Sequence, residues 1–179
     1  MKKLLAGSAA LLALLTLVAS GANAGTRGVA TPKRILSVGT MYGVDGAFIG
    51  ATHPIHQLPG DELPWAIHSV RGLLDSAGRL KLNISGLVFT NDPSVPPELQ
   101  GINDETQFRA VLSCQTTNAA GDVVDTNIFT EGFPATMSGD CTIDAAIDLP
   151  KPCISPVIFI VAGSEDKWFA VTGFEAEGG

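Results

Sequence analysis

The strongest constraint on how this chain can fold is a strict two-residue alternation. Cys141, Ile143, Ala145, Ile147 and Leu149 share one phase, and Thr142, Asp144, Ala146 and Asp148 share the other. Successive side chains of an extended strand point to opposite faces, so the pattern predicts a half-buried strand, one face on a core and one in water. Leu80, Leu82 and Ile84 alternate with Lys81, Asn83 and Ser85 in the same way, and Phe108, Ala110, Leu112 and Cys114 alternate with Arg109, Ser113 and Gln115. Residues 157–162 are apolar throughout, which predicts a central strand covered on both faces. Residues 168–174 are rich in aromatic and β-branched side chains and predict another strand. No stretch repeats its apolar residues at three and four, so no helix is predicted.

The connections suit the same reading. Asp75-Ser76-Ala77-Gly78 is a tight turn that predicts a hairpin between strands at 65–74 and 79–90. Ala120-Gly121-Asp122 turns the chain between 108–117 and 123–130. Pro150 and Pro152 separate the alternating strand from the central one. Residues 91–106, with Pro93, Pro96 and Pro97, are longer than a hairpin needs and predict a crossing between sheets. Two weaker strands are placed near 35–41 and 47–51. Seven or eight short antiparallel strands predict an all-β fold, a single antiparallel β-sandwich of the immunoglobulin-like Greek-key type, with a small closed β-barrel as the alternative.

The first residues set the compartment. Lys2 and Lys3 precede an apolar run from Leu4 to Val18, and Ala22-Asn23-Ala24 supplies small residues where a signal peptidase reads. This predicts a secretory signal peptide over 1–24, cleaved after Ala24, and a protein secreted or periplasmic with no membrane anchor. The run is shorter than the about 20 residues that span a bilayer. Residues 25–63 then hold N-terminal strands and a loop of the same domain, and 64–179 hold the main sandwich body. Cleavage leaves 155 residues, one domain by length, with nine Lys and Arg against eighteen Asp and Glu. A net charge near −9 argues against nucleic acid as a partner, because an acidic chain repels phosphate backbones. The partner expected is a protein or small-molecule ligand, with no cofactor.

Three cysteines, Cys114, Cys141 and Cys153, would meet an oxidising compartment, where two of them pair. Cys114 lies on the inward phase of its strand, and Cys153 starts the central one between Pro152 and Pro156. We favour Cys114–Cys153, with Cys141 a buried free thiol. Closing its loop of about 40 residues is worth roughly 4 kcal/mol, against about 3 for Cys141–Cys153, a difference too small to decide. The segments Phe108-Arg109-Ala110-Val111-Leu112-Ser113-Cys114, Phe133-Pro134-Ala135, Leu149-Pro150-Lys151-Pro152-Cys153-Ile154-Ser155-Pro156 and Trp168-Phe169-Ala170-Val171-Thr172-Gly173 resemble uncharacterised secreted bacterial β-rich proteins. The resemblance covers roughly 64–174. It implies one domain whose usual cysteines are Cys114 and Cys153, with Cys141 a local addition, and it transfers no catalytic or binding residue.

Candidate chemistry is sparse. No Gly-x-Ser-x-Gly elbow is present, and Ser138 and Ser164 sit in ordinary turns. His53-Pro54-Ile55-His56, with Asp61 and Glu62 behind and His68 in the next strand, offers His53 and His56 as ligands for zinc or copper. Pro54 and the surrounding Pro59, Gly60 and Pro64 make this a loop, whose rings need not converge. Asn91-Asp92, Asn103-Asp104-Glu105, Asp122 and Asp125 suit turns without a calcium loop. Trp65, Trp168, Phe169 and Tyr42 are expected in core or rim packing more than in a sugar- or peptide-binding face. The preferred expectation is a secreted non-catalytic β-sandwich with a binding or structural role. The alternatives are an extracytoplasmic metal-binding protein using His53 and His56, and a secreted hydrolase without a local motif.

Overall fold

In the computed structural model of the protein, residues 31–174 are described. The predicted signal peptide, 1–24, lies outside them. Ten strands follow in order: β1 (Arg34–Val38), β2 (Met41–Gly43), β3 (Trp65–Asp75), β4 (Arg79–Phe89), β5 (Gln107–Thr117), β6 (Val123–Phe129), β7 (Phe133–Pro134), β8 (Cys141–Ala146), β9 (Ile154–Ala162) and β10 (Trp168–Thr172). They form two antiparallel sheets, β1-β3-β4-β8 and β2-β10-β9-β5-β6, with β7 beside β5. The architecture is the expected all-β sandwich.

The barrel alternative is overturned. Each sheet keeps two open edges, β1 and β8 in the first and β2 and β6 in the second. The strand count also rises from the seven or eight expected to ten. The single strand expected near 35–41 divides, because its two ends pair in different sheets: Val38 faces Gly72 of β3, while Tyr42 faces Val171 of β10. β7 adds a two-residue strand that the alternation was too short to show. The strand expected near 47–51 is absent. Gly46 and Gly50 take φ values of +56° and +74°, outside the β region. Asp45 accepts the Gly46 N–H at 2.6 Å and starts a 3-10 turn over Gly46–Phe48 instead.

The hairpin of β3 and β4 forms as predicted, with Leu74 opposite Leu80. The Asp75 carboxylate accepts from Ala77 N and Arg79 N at 2.9 and 3.0 Å, and Gly78 supplies φ +82°. The long connection 91–106 does cross from one sheet to the other. Val70, Leu74, Leu80, Leu82, Ile84 and Ile143 line the inner face of the first sheet, and Phe108, Ala110, Leu112, Ile158 and Ile160 that of the second. Each such large side chain contributes roughly 1.5–3 kcal/mol by leaving water. At one end Trp65 stacks on Phe169 at 4.0 Å and meets Phe89 at a tilt at 4.1 Å, while Phe108 meets Phe169 edge-on at 5.8 Å, joining the two sheets through aromatic rings.

β9 sits in the centre of the second sheet, and Ile158 to Ala162 are fully buried in succession. One phase faces the first sheet. The other, with Val111 and Phe159, is covered by residues 44–63, which fold over the outer face of the second sheet. Among the described residues no such segment covers the outer face of the first sheet, which carries Ser37, Arg71, Lys81, Asn83 and Asp144 with Leu73 among them.

The disulfide joins Cys114 to Cys153 and leaves Cys141 a buried free thiol, as favoured from the sequence. It ties β5 to the chain entering β9, where the register shifts between Ser113 and Gln115.

Candidate functional site

Residues 44–63 carry both histidines expected as ligands. The segment is closed by backbone bonds from Gly50 N to Asp61 O at 2.8 Å and from Gly60 N to Gly50 O at 3.0 Å. Ile55 and Leu58 exchange N–H···O bonds of 3.0 and 2.9 Å, so His56 and Gln57 form a two-residue hairpin tip. Both take left-handed φ, +47° and +69°. Such a tip ordinarily uses Asn or Gly, and a side chain there costs on the order of 1 kcal/mol per residue.

The tip is held by its own contacts with the second sheet. His56 Nδ1 lies 2.8 Å from Ser113 Oγ, and Asn127 Nδ2 donates to the His56 carbonyl at 2.9 Å. Ser113 and Asn127 are cross-strand partners on β5 and β6, so the tip grips one rung of the ladder. The His56 ring also meets Phe159 edge-on at 6.4 Å. Ser113 is fully buried, which places its hydroxyl out of reach of a substrate.

His53 is exposed, and its Nδ1 lies 2.9 Å from the Ala47 carbonyl. His68 is exposed on β3 of the other sheet. Asp61 is buried and accepts from Trp65 Nε1 at 2.9 Å and Leu63 N at 3.3 Å. The structure therefore does not bring His53, His56, His68 and Asp61 together. Among the described residues one group of three potential ligand side chains converges, Asp61, Glu62 and Glu165. Lys167 lies beside two of them, with Nζ 2.6 Å from Glu62 and 2.7 Å from Glu165, so these two carboxylates already share a cationic partner. Burial raises the Asp61 carboxyl above its ordinary value, partly opposed by the Trp65 indole. The Lys167 ammonium, in its bonds to Glu165 and Glu62, holds its own proton more firmly and lowers the carboxyl of Glu62.

The remaining candidates take structural places. Burial pushes the Cys141 thiol up to about 11, the opposite of an activated nucleophile. Asp92 accepts from Ser94 N and Oγ at 2.8 and 2.7 Å, and Asn118 ties Ala120 and Asp122 into a turn. Asn103 is buried and holds Glu105 and Thr136 through 2.7 and 2.8 Å bonds. Ser138 donates to Asp140, and Ser164 to Glu105. Trp65, Trp168 and Phe169 are core residues, and half-buried Tyr42 borders with Trp65 a shallow pocket of about 320 Å³.

The open surface that stands out is the outer face of the first sheet. Cross-strand register places Arg71 beside Asn83, and Leu73 between Ser37 and Lys81. With Arg34 these residues line a shallow trough of about 380 Å³. On the far side Asp144 of β8 pairs with Lys81 at 2.9 Å and Arg79 at 3.5 Å, and the two cations hold its carboxyl below the ordinary value. Sequence alternation marks Lys81 and Asn83 as outward, but only the pairing of β3 with β4 sets Arg71 next to them.

Fold and surface together define an all-β sandwich stapled by one disulfide, with one sheet face covered by residues 44–63 and the opposite one uncovered among the described residues. Compared with family models, curated proteins and solved structures, the chain matches none.

Proposed function

We propose that the protein is exported and works outside the cytoplasm as a non-catalytic binding module. The observation that carries this is the His56–Ser113 pair. It is a histidine joined to a hydroxyl, yet the hydroxyl is fully buried and the bond anchors a strained loop tip. Cys114 and Cys153 are bridged, and the Cys141 thiol is buried and hard to ionise. Export is supported by the charged, apolar and small-residue pattern of 1–24, and a disulfide fits an oxidising compartment. No helix among the described residues is long and apolar enough to cross a membrane. The metal-binding alternative lacks comparable support, because His53 and His56 each direct Nδ1 to a different part of the protein.

Labelling the folded, oxidised protein with a fluorophosphonate and with iodoacetamide tests this reading. Neither reagent is expected to modify it, and iodoacetamide should reach Cys141 once the chain is unfolded. Stoichiometric fluorophosphonate labelling of Ser113 in the folded protein, lost in His56→Ala, would overturn the proposal in favour of a hydrolase.

A further inference from the structure

Charge is distributed unevenly over this acidic chain. Residues 31–174 hold eight Lys and Arg against sixteen Asp and Glu. Five of the eight, Lys33, Arg34, Arg71, Arg79 and Lys81, fall on or beside β1, β3 and β4. Asp75 and Asp144 are the carboxylates on these strands and on β8, and Asp140, just before β8, accepts from Ser85 Oγ and Gly86 N of β4. Asp75 turns its oxygen to backbone N–H groups, and Asp144 is engaged by Lys81 and Arg79. Arg34 and Arg71 are exposed and form no ion pair among the described residues. They border the same trough as Lys81, with Ser37 on the β1 side and Asn83, whose Oδ1 accepts from Thr142, beside Arg71 on the β4 side.

We propose that this trough binds a linear acidic polysaccharide, a deepening of the extracytoplasmic binding reading on which it rests. Arg34 and Arg71 present planar forks that match carboxylate or sulfate groups. Ser37 and Asn83 supply hydrogen bonds of the kind that sugar hydroxyls take, and Leu73 gives an aliphatic floor. Lys81 lies one row along and one strand over from Arg71, and Arg34 two rows along on the opposite strand, so at about 7 Å per row and about 4.8 Å per strand the three cations are spread over the trough and meet separate units of a chain lying in it.

Other anionic partners suit the face less well. A membrane or a nucleic-acid duplex presents a broad anionic surface that would also meet the acidic remainder of the protein. Single-stranded nucleic acid relies on aromatic platforms, and none of the residues lining the trough is aromatic. A peptide adding as a strand would take the open edge of β1 and lie beside the trough, off the β3 and β4 floor that carries Arg71, Lys81 and Asn83. A single polysaccharide chain along the trough touches this face alone.

The test is binding of the oxidised protein to polygalacturonate, dextran sulfate and uncharged dextran, measured by affinity electrophoresis and by titration at 50 and 200 mM salt. Binding to at least one polyanion and not to dextran is expected, weaker at the higher salt, with the carboxylated and sulfated probes distinguishing the two anion chemistries. R34A/R71A should weaken it at least about tenfold, and K151A, away from the trough, should leave it unchanged. Both variants alter exposed side chains, and an unchanged melting temperature confirms that they fold. Failure of wild-type protein to prefer a polyanion over dextran, or unchanged binding by R34A/R71A, overturns the proposal. So does tighter binding to polyglutamate or to phosphatidylglycerol vesicles. None of these outcomes alters the labelling result, so the site and the non-catalytic reading fail separately.

Discussion

His56 should act as the anchor of its loop, and replacing it should cost stability by an amount the geometry sets. His56→Ala removes the 2.8 Å bond to Ser113, worth about 1 kcal/mol net, and leaves a fully buried hydroxyl unpartnered, which costs about 1–3 kcal/mol more. Alanine also keeps the left-handed φ of +47° without the contacts that offset it. We expect a loss of about 2–4 kcal/mol, or about 4–16 °C in melting temperature for a domain of this size. His56→Gly loses the same bond but relieves the backbone, so it should be about 1 kcal/mol more stable than the alanine variant. Ser113→Ala should cost less than His56→Ala, because it removes the buried hydroxyl itself and the half-buried imidazole can turn to water. Urea unfolding followed by the fluorescence of the buried Trp65 and Trp168 measures all three, and the double variant gives their coupling. An alanine variant within 0.5 kcal/mol of wild type, or a glycine variant less stable than it, would refute the anchor.

Three further outcomes follow from the same structure. Removing the bridge in C114A/C153A, which frees a loop with a sequence separation of 39, should cost about 4 kcal/mol by chain entropy, read as a lower urea midpoint. Gly139 has φ +75° and a Cβ there would run into the Leu87 backbone, so Gly139→Ala should destabilise by at least about 2 kcal/mol, read by the same unfolding assay. Asp61 is raised above 3.8, so between that value and its folded value the native state holds a proton that the unfolded chain has released, and stability falls as pH rises through this window. Asp92, Asp140 and Asp144 are lowered, so their contribution is present above 3.8 and is lost as pH falls through their folded values. Melting temperatures of Asp61→Asn from pH 3 to 7 should therefore fall more steeply toward acid than those of wild type.

Much of the sandwich is legible in the chain because alternation and turn chemistry agree there. The phase of Cys141 and Ile143 places them on the core, and the apolar run at 157–162 marks a strand covered twice. That run does not say what covers its second face. The answer is the segment 44–63, whose Ile55, His56 and Leu58 are too short a run to reveal an amphipathic pattern. The spacing of His53 and His56 suggested a shared ion, but positive φ at the tip and the hold of Ser113 direct the His56 ring onto the sheet. Local spacing cannot fix that direction, since it depends on a partner 57 residues away. The cationic trough was hidden for a related reason. Arg71 and Lys81 become neighbours only once the hairpin register is set.

The central claim is an exported, oxidised domain that offers no reactive thiol, and intact mass with thiol counting tests it most directly. The full chain expressed in a bacterial host should be recovered outside the cytoplasm beginning at Gly25, two hydrogens lighter than the reduced sequence. It should show no reactive thiol when folded and a single one, Cys141, when denatured without reductant. A product that keeps Met1 in the cytoplasm, or three thiols that titrate in the folded protein, would contradict the account.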